Sequence, residues 1–249
     1  MLGDAPQTTA SCPIDIWSWS LDMPSGEDTK FGTCLSHDEL ERASRFVRSD
    51  DTRRYIAGRT GLRSILGRYL DTAPSDISFS YSESGKPGIQ STGARPLEFN
   101  LSHSGDQALL AVSRQFVLGV DIEQIKPIAE DVAGHFFSAA ECSELKAYPD
   151  QGRMSAFYRC WTRKEAFVKA QGAGLSLALD CFDVSLSPQR QHTLLRLDPS
   201  VGSSQDWVFL TISVANGFCA VAAILTFGQD VQLRYCGDWR ERPSMPSMT

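Results

Sequence analysis

Gly119-Val120-Asp121-Ile122-Glu123 reads as a buried strand that carries two carboxylates. Residues two apart on a strand point to the same side, so Asp121 and Glu123 project together, between the apolar Val120 and Ile122. Two carboxylates side by side repel, and burying them uncompensated is costly. Further along, Trp161-Thr162-Arg163-Lys164-Glu165-Ala166 sits in a strongly helical run. Met154, Phe157, Trp161, Glu165 and Val168 recur there at helical spacing, which puts Glu165 in line with the apolar stripe and off the solvent face. A hard divalent cation, most simply Mg²⁺, would relieve the repulsion, with Asp121, Glu123 and Glu165 as oxygen ligands. Mn²⁺ accepts the same donors. The pattern predicts phosphate chemistry.

Upstream of the acidic strand, residues 14–21 alternate apolar and polar and predict a strand. Ser36-His37-Asp38-Glu39 is a capping box that opens a helix through about residue 47, and a second helix spans about 52–70. A strand at 77–81, a turn at Ser84-Gly85-Lys86-Pro87-Gly88 and a hairpin of 97–102 with 108–113 across Gly105-Asp106 follow. Downstream, Ser138-Ala139-Ala140-Glu141 is another capping box, and a long helix runs from about 152 to 171 before Gly172 stops it. Strands are predicted near 182–186, 193–197, 208–214, 218–225 and 231–235, with Asn216-Gly217 as a hairpin turn. Residues 1–12 and the tail from Arg240 read as loose ends.

The two halves resemble each other. Phe99-Asn100-Leu101-Ser102 followed by Ala108-Leu109-Leu110-Ala111-Val112 parallels Leu210-Thr211-Ile212-Ser213 followed by Cys219-Ala220-Val221-Ala222. This predicts an α+β pseudo-dimer of two similar lobes, 13–115 and 116–238, each a helix packed on a mostly antiparallel sheet. The active site is expected at the lobe junction, a common place for ligands.

Composition narrows the class. With 249 residues, 42% apolar and 22% charged, the chain is globular and holds one large domain or two ordinary ones. The longest apolar stretch, 219–225, is too short to span a bilayer. Met1-Leu2-Gly3-Asp4 has no signal-peptide character. Seven scattered cysteines without a Cys-x-x-Cys pair predict reduced thiols and a cytoplasmic protein. A net charge of −6 argues against a general nucleic-acid binder. Eight arginines nonetheless crowd 42–68. They are either a solvated face balanced by Asp38, Glu39, Glu41, Asp50 and Asp51, or an anion-binding surface for phosphates or an acidic partner.

Phe99-Asn100-Leu101-Ser102-His103-Ser104-Gly105 places a hydroxyl and an imidazole at a strand end before a tight turn. Adjacent strand residues face opposite ways, so Ser102 and His103 make a poor nucleophile–base pair. As donors to a phosphate they fit better, with Lys86 adding charge to the same anion.

Together, Gly85-Lys86-Pro87, the Phe-Asn-Leu-Ser-His-Ser-Gly run, Gly-Val-Asp-Ile-Glu, Phe136-Phe137-Ser138-x-x-Glu141, Trp-x-x-Lys-Glu-Ala and Lys169-x-x-Gly172-x-Gly174-Leu175 stand in the order and spacing of 4′-phosphopantetheinyl transferases. Over roughly 36–184 the chain resembles the larger, pseudo-dimeric Sfp (surfactin-synthetase-activating) type. The resemblance implies transfer of the phosphopantetheine arm of coenzyme A to a serine of an apo acyl- or peptidyl-carrier protein, with release of adenosine 3′,5′-bisphosphate. It implies Mg²⁺ on Asp121, Glu123 and Glu165 against the pyrophosphate of coenzyme A. Ser102 and His103 would contact the 3′-phosphate side, Lys86, Arg42 and Arg45 would add positive charge, and Lys164 and Lys169 would bracket the pyrophosphate.

For the general base the resemblance points to Glu141, which is equally the last member of its capping box. Glu165, tuned by Lys169, is the other candidate. Family members often carry a basic residue near the position of Glu39, so a shifted set of coenzyme A contacts is expected. Carrier docking is expected on the stretch after Gly172 and on exposed apolar residues, helped by the arginine-rich first lobe. The enzyme is expected to be a monomer without nucleic-acid or membrane partners. A metal-dependent nuclease is disfavoured by the acidic pI and the Ser-His-Ser-Gly motif. A non-catalytic module binding coenzyme A or a carrier would be expected had one of the three acids been missing.

Overall fold

Alternating apolar residues make Pro13–Ser20 the first strand, β1, with Ile14, Ile16, Trp17 and Trp19 all buried. The computed structural model describes residues 13–22, 32–90, 97–128, 132–172, 174, 177–190 and 193–241. Residues 1–12 and 242–249 lie outside these; of the tail expected to be loose from Arg240, the first two residues close a 3-10 turn (Trp239–Glu241) in which Arg240 pairs with Asp238 at 2.6 Å. After β1 come α1 (His37–Ser44), opened by the Ser36–Glu39 capping box, and α2 (Ser49–Leu70). A short hairpin of β2 (Phe79–Tyr81) and β3 (Pro87–Ile89) precedes a longer one of β4 (Glu98–Ser104) and β5 (Gln107–Ser113). The order then repeats. β6 (Leu118–Gln124) leads to α3 (Val132–Phe136), α4 (Ala139–Ala147) and α5 (Asp150–Gln171). The hairpins β7 (Phe182–Val184) with β8 (Leu194–Leu197), and β9 (Trp207–Thr211) with β10 (Phe218–Leu225), complete the second round before β11 (Gln232–Gly237).

Among the described residues the larger sheets run β11-β1-β5-β4 and β6-β10-β9. In each, the opening strand of the lobe pairs with the second strand of the later hairpin. All pairings are antiparallel except β1 with β11. This is the two-lobe α+β arrangement expected from the sequence. The lobe limits differ in one respect. β11 falls in the stretch assigned to the second lobe, yet it hydrogen-bonds to β1 of the first. The edge of β1 away from β5 needs a partner, and Arg234 on β11 fastens it by gripping the buried Asp15 at 2.6 and 2.9 Å.

Helix α2 packs Leu62, Ile65 and Leu66 on Trp17, Trp19 and Leu110 of the first sheet. Helix α5 packs Phe157, Phe167 and Val168 against Val221 and Ala223 of the second. Ile14, Ile16, Leu109 and Ala111 meet Leu118, Val120, Ile122 and Ala222 in a third cluster between the sheets. The two sheets therefore share a core, and the long helices cover their outer faces.

The repeat extends to single residues. Helices α2 and α5 are each 22 residues long and each ends on a left-handed residue, Asp71 (φ 50°) or Gly172 (φ 65°). Counted back from these caps, Arg63 corresponds to Lys164, Ser64 to Glu165 and Arg68 to Lys169. On the strands, Trp17 and Trp19 lie opposite Leu110 and Ala108, as Asp121 and Glu123 lie opposite Val221 and Cys219. The first lobe thus has two tryptophans where the second has two acids.

Candidate active site

Strand β6 pairs with β10 on one side and meets β4 on the other without a backbone ladder. Its inner N–H groups still need partners, because a buried unpaired donor costs about as much as a lost hydrogen bond. Side chains of β4 supply them. Val120 N donates to Asn100 Oδ1 (2.8 Å), Ile122 N to Ser102 Oγ (3.3 Å) and Gln124 N to Ser104 Oγ (3.0 Å). The rungs fall on alternate residues, as the strand repeat requires. The same two hydroxyls also donate to the acids, Ser102 to Asp121 Oδ1 (3.0 Å) and Ser104 to Glu123 Oε2 (2.7 Å).

Gly119 brings α5 onto this strand. A Cβ there would overlap the Ala166 carbonyl oxygen and the Ala170 nitrogen, both on α5. The close approach sets Lys169 Nζ at 2.6 Å from Asp121 Oδ1 and 3.0 Å from Ser102 Oγ. Asp121 is only 2% exposed, and its Oδ2 has no hydrogen-bond partner among the described residues. Burial pushes its carboxyl up to about 7, with Glu123 adding to the rise and Lys169 and Ser102 opposing it. Burial also raises Glu165, again with Glu123 adding and Lys169 opposing. Asp121 and Glu165 therefore both feel Glu123 and the Lys169 ammonium.

Beside this cluster lies a cavity of 660 Å³, lined among others by Lys86, Asn100, Phe136, Phe137, Glu165 and Lys169. The β2–β3 turn of the first lobe forms one wall. Its Lys86 Nζ donates to Leu118 O (3.3 Å) and Ala170 O (3.1 Å), and the Ser84 hydroxyl donates to Gly172 O. Carbonyls in the last turn of a helix lack intrahelical partners, so a lysine there is well placed. Burial lowers the Lys86 ammonium below the ordinary lysine value.

The other expected residues are distributed less evenly. Ser102 is in the cluster. His103, its neighbour, is exposed at the strand end and does not line the cavity; partial desolvation and then the Lys169 charge hold it below the ordinary histidine value. Arg42 lies over the Tyr55 ring at 5.7 Å, and Arg45 pairs with Glu41 at 2.5 Å; both are exposed and neither lines the cavity. Glu141 and Lys164, expected as base and pyrophosphate contact, are bound to each other at 2.8 Å with side chains 2% and 1% exposed. Of the stretch after Gly172 expected to dock a carrier, residues 173, 175 and 176 lie outside the described residues. Sequence reasoning gave no role to Asn100, Ser104 or Gly119. The signal was there: three small polar residues at period two, facing a Gly-started acidic strand.

Among the described residues no three His, Cys, Asp or Glu side chains are already gathered as a metal cage. Lys169 neutralises Asp121, and Ser104 holds Glu123. The donor set nevertheless suits a hard cation: Asp121 keeps a buried oxygen that no described residue hydrogen-bonds, next to a second carboxylate.

Comparison with known proteins agrees with the fold. Residues 117–220 match the family described as the 4′-phosphopantetheinyl transferase superfamily, and residues 19–115 match 4′-phosphopantetheinyl transferase, N-terminal. The 4′-phosphopantetheinyl transferase HetI of Nostoc sp. is 36% identical over 89% of this chain and 91% of its own length. The transferase Sfp of Bacillus subtilis is 38% identical over 73% of this chain and 80% of its own. The human L-aminoadipate-semialdehyde dehydrogenase-phosphopantetheinyl transferase is 30% identical over 76% of this chain and 66% of its own. The chain belongs to the 4′-phosphopantetheinyl transferase family. Within it, the two lobes and the similarity to Sfp make it a transferase of the Sfp type. No helix among the described residues is long and apolar enough to cross a membrane, and six cysteines are free thiols.

Proposed function

We propose that this transferase moves the 4′-phosphopantetheine arm of coenzyme A to a serine hydroxyl of an apo acyl- or peptidyl-carrier protein at the cavity between the β2–β3 turn, β4 and α5. The observation that carries the reading is the buried Asp121, with one free oxygen, set beside Lys169 at the edge of that cavity. In the reaction the serine oxygen bonds to the phosphorus bearing the pantetheine arm. The bond from that phosphorus to the bridging pyrophosphate oxygen breaks, and adenosine 3′,5′-bisphosphate leaves. Lys169 and Lys86 supply positive charge to the anion, which in a partly dry site is worth far more than in water. Glu165, raised by burial and lining the cavity, takes the serine proton. Asp121, Glu123 and Glu165 would hold Mg²⁺, whose contribution is to neutralise charge on the transferred phosphoryl group and the departing bisphosphate.

The arginine-rich α1–α2 face would draw in acidic carriers, and a monomer in a reducing cytoplasm suits a chain that carries both lobes and free thiols. Mass spectrometry of apo-carrier proteins incubated with the enzyme, coenzyme A and Mg²⁺ tests the reading. A mass gain of one phosphopantetheine is expected on at least one carrier. No gain across a panel of fatty-acid, polyketide and peptide carriers would overturn it.

A further inference from the structure

We propose that Glu141 and Lys164 are positioning residues, which fix the backbone of residues 179–184 against α5 and take no part in proton transfer or phosphate binding. Both groups are engaged by the surrounding backbone and by each other. Glu141 Oε1 accepts from Val184 N at 2.8 Å, while Oε2 accepts from Ser138 N at 2.8 Å and from Lys164 Nζ at 2.8 Å. Lys164 Nζ also donates to Leu179 O (2.5 Å) and Phe182 O (2.9 Å). An ammonium has three protons, and the carboxylate and two carbonyls use all of them. Neither side chain lines the cavity, but Leu179 and Asp180, which the clasp holds, do.

The first lobe contains a corresponding clasp, with Arg59 on Glu39 Oε1 in place of the Val184 N–H. Glu39 is the last member of its own capping box, is 2% exposed, and accepts from Ser36 N at 2.9 Å. Arg63, at the position of Lys164, donates to Glu39 Oε2 at 2.7 Å. It also donates to Pro74 O and Ile77 O, each at 2.9 Å. In both lobes the paired carbonyls bracket a short 3-10 turn, Pro74–Asp76 or Leu179–Cys181. Yet the first lobe has Trp17, Trp19 and Ser64 where the second has Asp121, Glu123 and Glu165, so at these positions it has neither a metal ligand nor a carboxylate to accept a proton. A clasp that persists where the chemistry is absent serves the backbone. The presence of an acid at Glu39 is explained in the same way.

The test compares Glu141→Gln and Lys164→Arg with wild type by amide hydrogen exchange at Val184 and by transfer kinetics against pH. The kinetic arm rests on the transfer reading above; the exchange arm does not, so wild type without turnover would indict that reading and leave the clasp measurable. In Glu141→Gln we expect faster exchange at Val184 and a several-fold higher KM for coenzyme A. Its kcat should fall less than about tenfold with an unchanged pH profile, where loss of a general base costs about 10²–10⁴-fold. A loss of that size, with the low-pH limb of the profile gone and Val184 still protected, would overturn the proposal. Lys164→Arg reproduces the first-lobe clasp and should keep both Val184 protection and KM near wild type. It decides the matter if Glu141→Gln fails to fold, because a more than tenfold rise in KM with Val184 still protected would make Lys164 a phosphate ligand.

Discussion

Lys169 on α5 and Asp121 on β6 form a 2.6 Å ion pair in which one carboxylate oxygen is bound and the other is buried with no partner among the described residues. The pair exists because Gly119, two residues before Asp121, lets the helix backbone touch the strand. An acid so placed is only partly satisfied by one ammonium, and its chemistry follows from what else it can bind.

The first consequence concerns pH. The Asp121 carboxyl is raised from 3.8 to about 7 in the fold, so between these values the native state holds a proton that the unfolded chain has released. Stability falls with rising pH wherever the native state binds more protons. Asp121 therefore costs stability across that window, and the cost is complete above it. In metal-free buffer, Asp121→Asn is expected to melt higher than wild type at pH 8, with the advantage gone near about pH 4. Equal differences at both pH values would contradict the assignment.

Magnesium should reverse that cost. Added at about 100 times its dissociation constant, a ligand of the native state stabilises by about 2.7 kcal/mol. Wild type is expected to gain Tm with Mg²⁺ at pH 8, and to gain less as Asp121 takes up its proton below about 7. Asp121→Asn and Glu165→Gln should show no gain. A full gain in either would remove that residue from the ligand set.

Transfer itself is expected to vanish in Asp121→Ala and in Glu165→Ala while circular dichroism stays native. Lys169→Met should lose about 10²–10³-fold in kcat, the usual size for one preorganised charge or donor. Activity near wild type in any of these, read as the mass gain of a carrier, would disprove the site.

Gly119→Ala places a methyl group into the backbone of α5. Overpacking of this kind costs typically about 1–3 kcal/mol, and it pushes Lys169 away from Asp121. Urea unfolding should show the loss of stability, together with a lower turnover. An unchanged midpoint would mean that helix and strand are not in contact.

Asn100→Ala leaves Val120 N buried without an acceptor, at a cost of about 1–3 kcal/mol. Ser104→Ala should cost less, since its rung to Gln124 is only part-buried. Denaturant midpoints that rank the two variants in the opposite order would show that the side-chain ladder does not hold β6.

The acidic strand, both capping boxes, the long helix stopped at Gly172 and the β4–β5 hairpin were all legible, because period and cap chemistry are local properties. The ends of elements moved by a few residues: α1 stops at Ser44, short of the expected 47, and α2 begins earlier, at Ser49. The placement of Glu141 and Lys164 was not legible. Both sit in motifs rich in chemistry, and nothing in a linear pattern tells a carboxylate facing a cavity from one that caps Val184. Trp17 and Trp19 gave no hint of being counterparts of Asp121 and Glu123, since only the strand registers align them. Nor did the pattern of β11 show which sheet it would join.

By itself the sequence determined which residue types stand at which period: two acids on one face of a strand, a third on a helix stripe, and a repeat of helices and hairpins. Those are properties of short stretches, fixed by strand and helix geometry. The tertiary structure decided which acid keeps a free oxygen, which is tied up as a backbone clasp, and which lysine meets the cluster. These depend on contacts between residues far apart in the chain, where a single missing Cβ at Gly119 sets the distance between helix and strand.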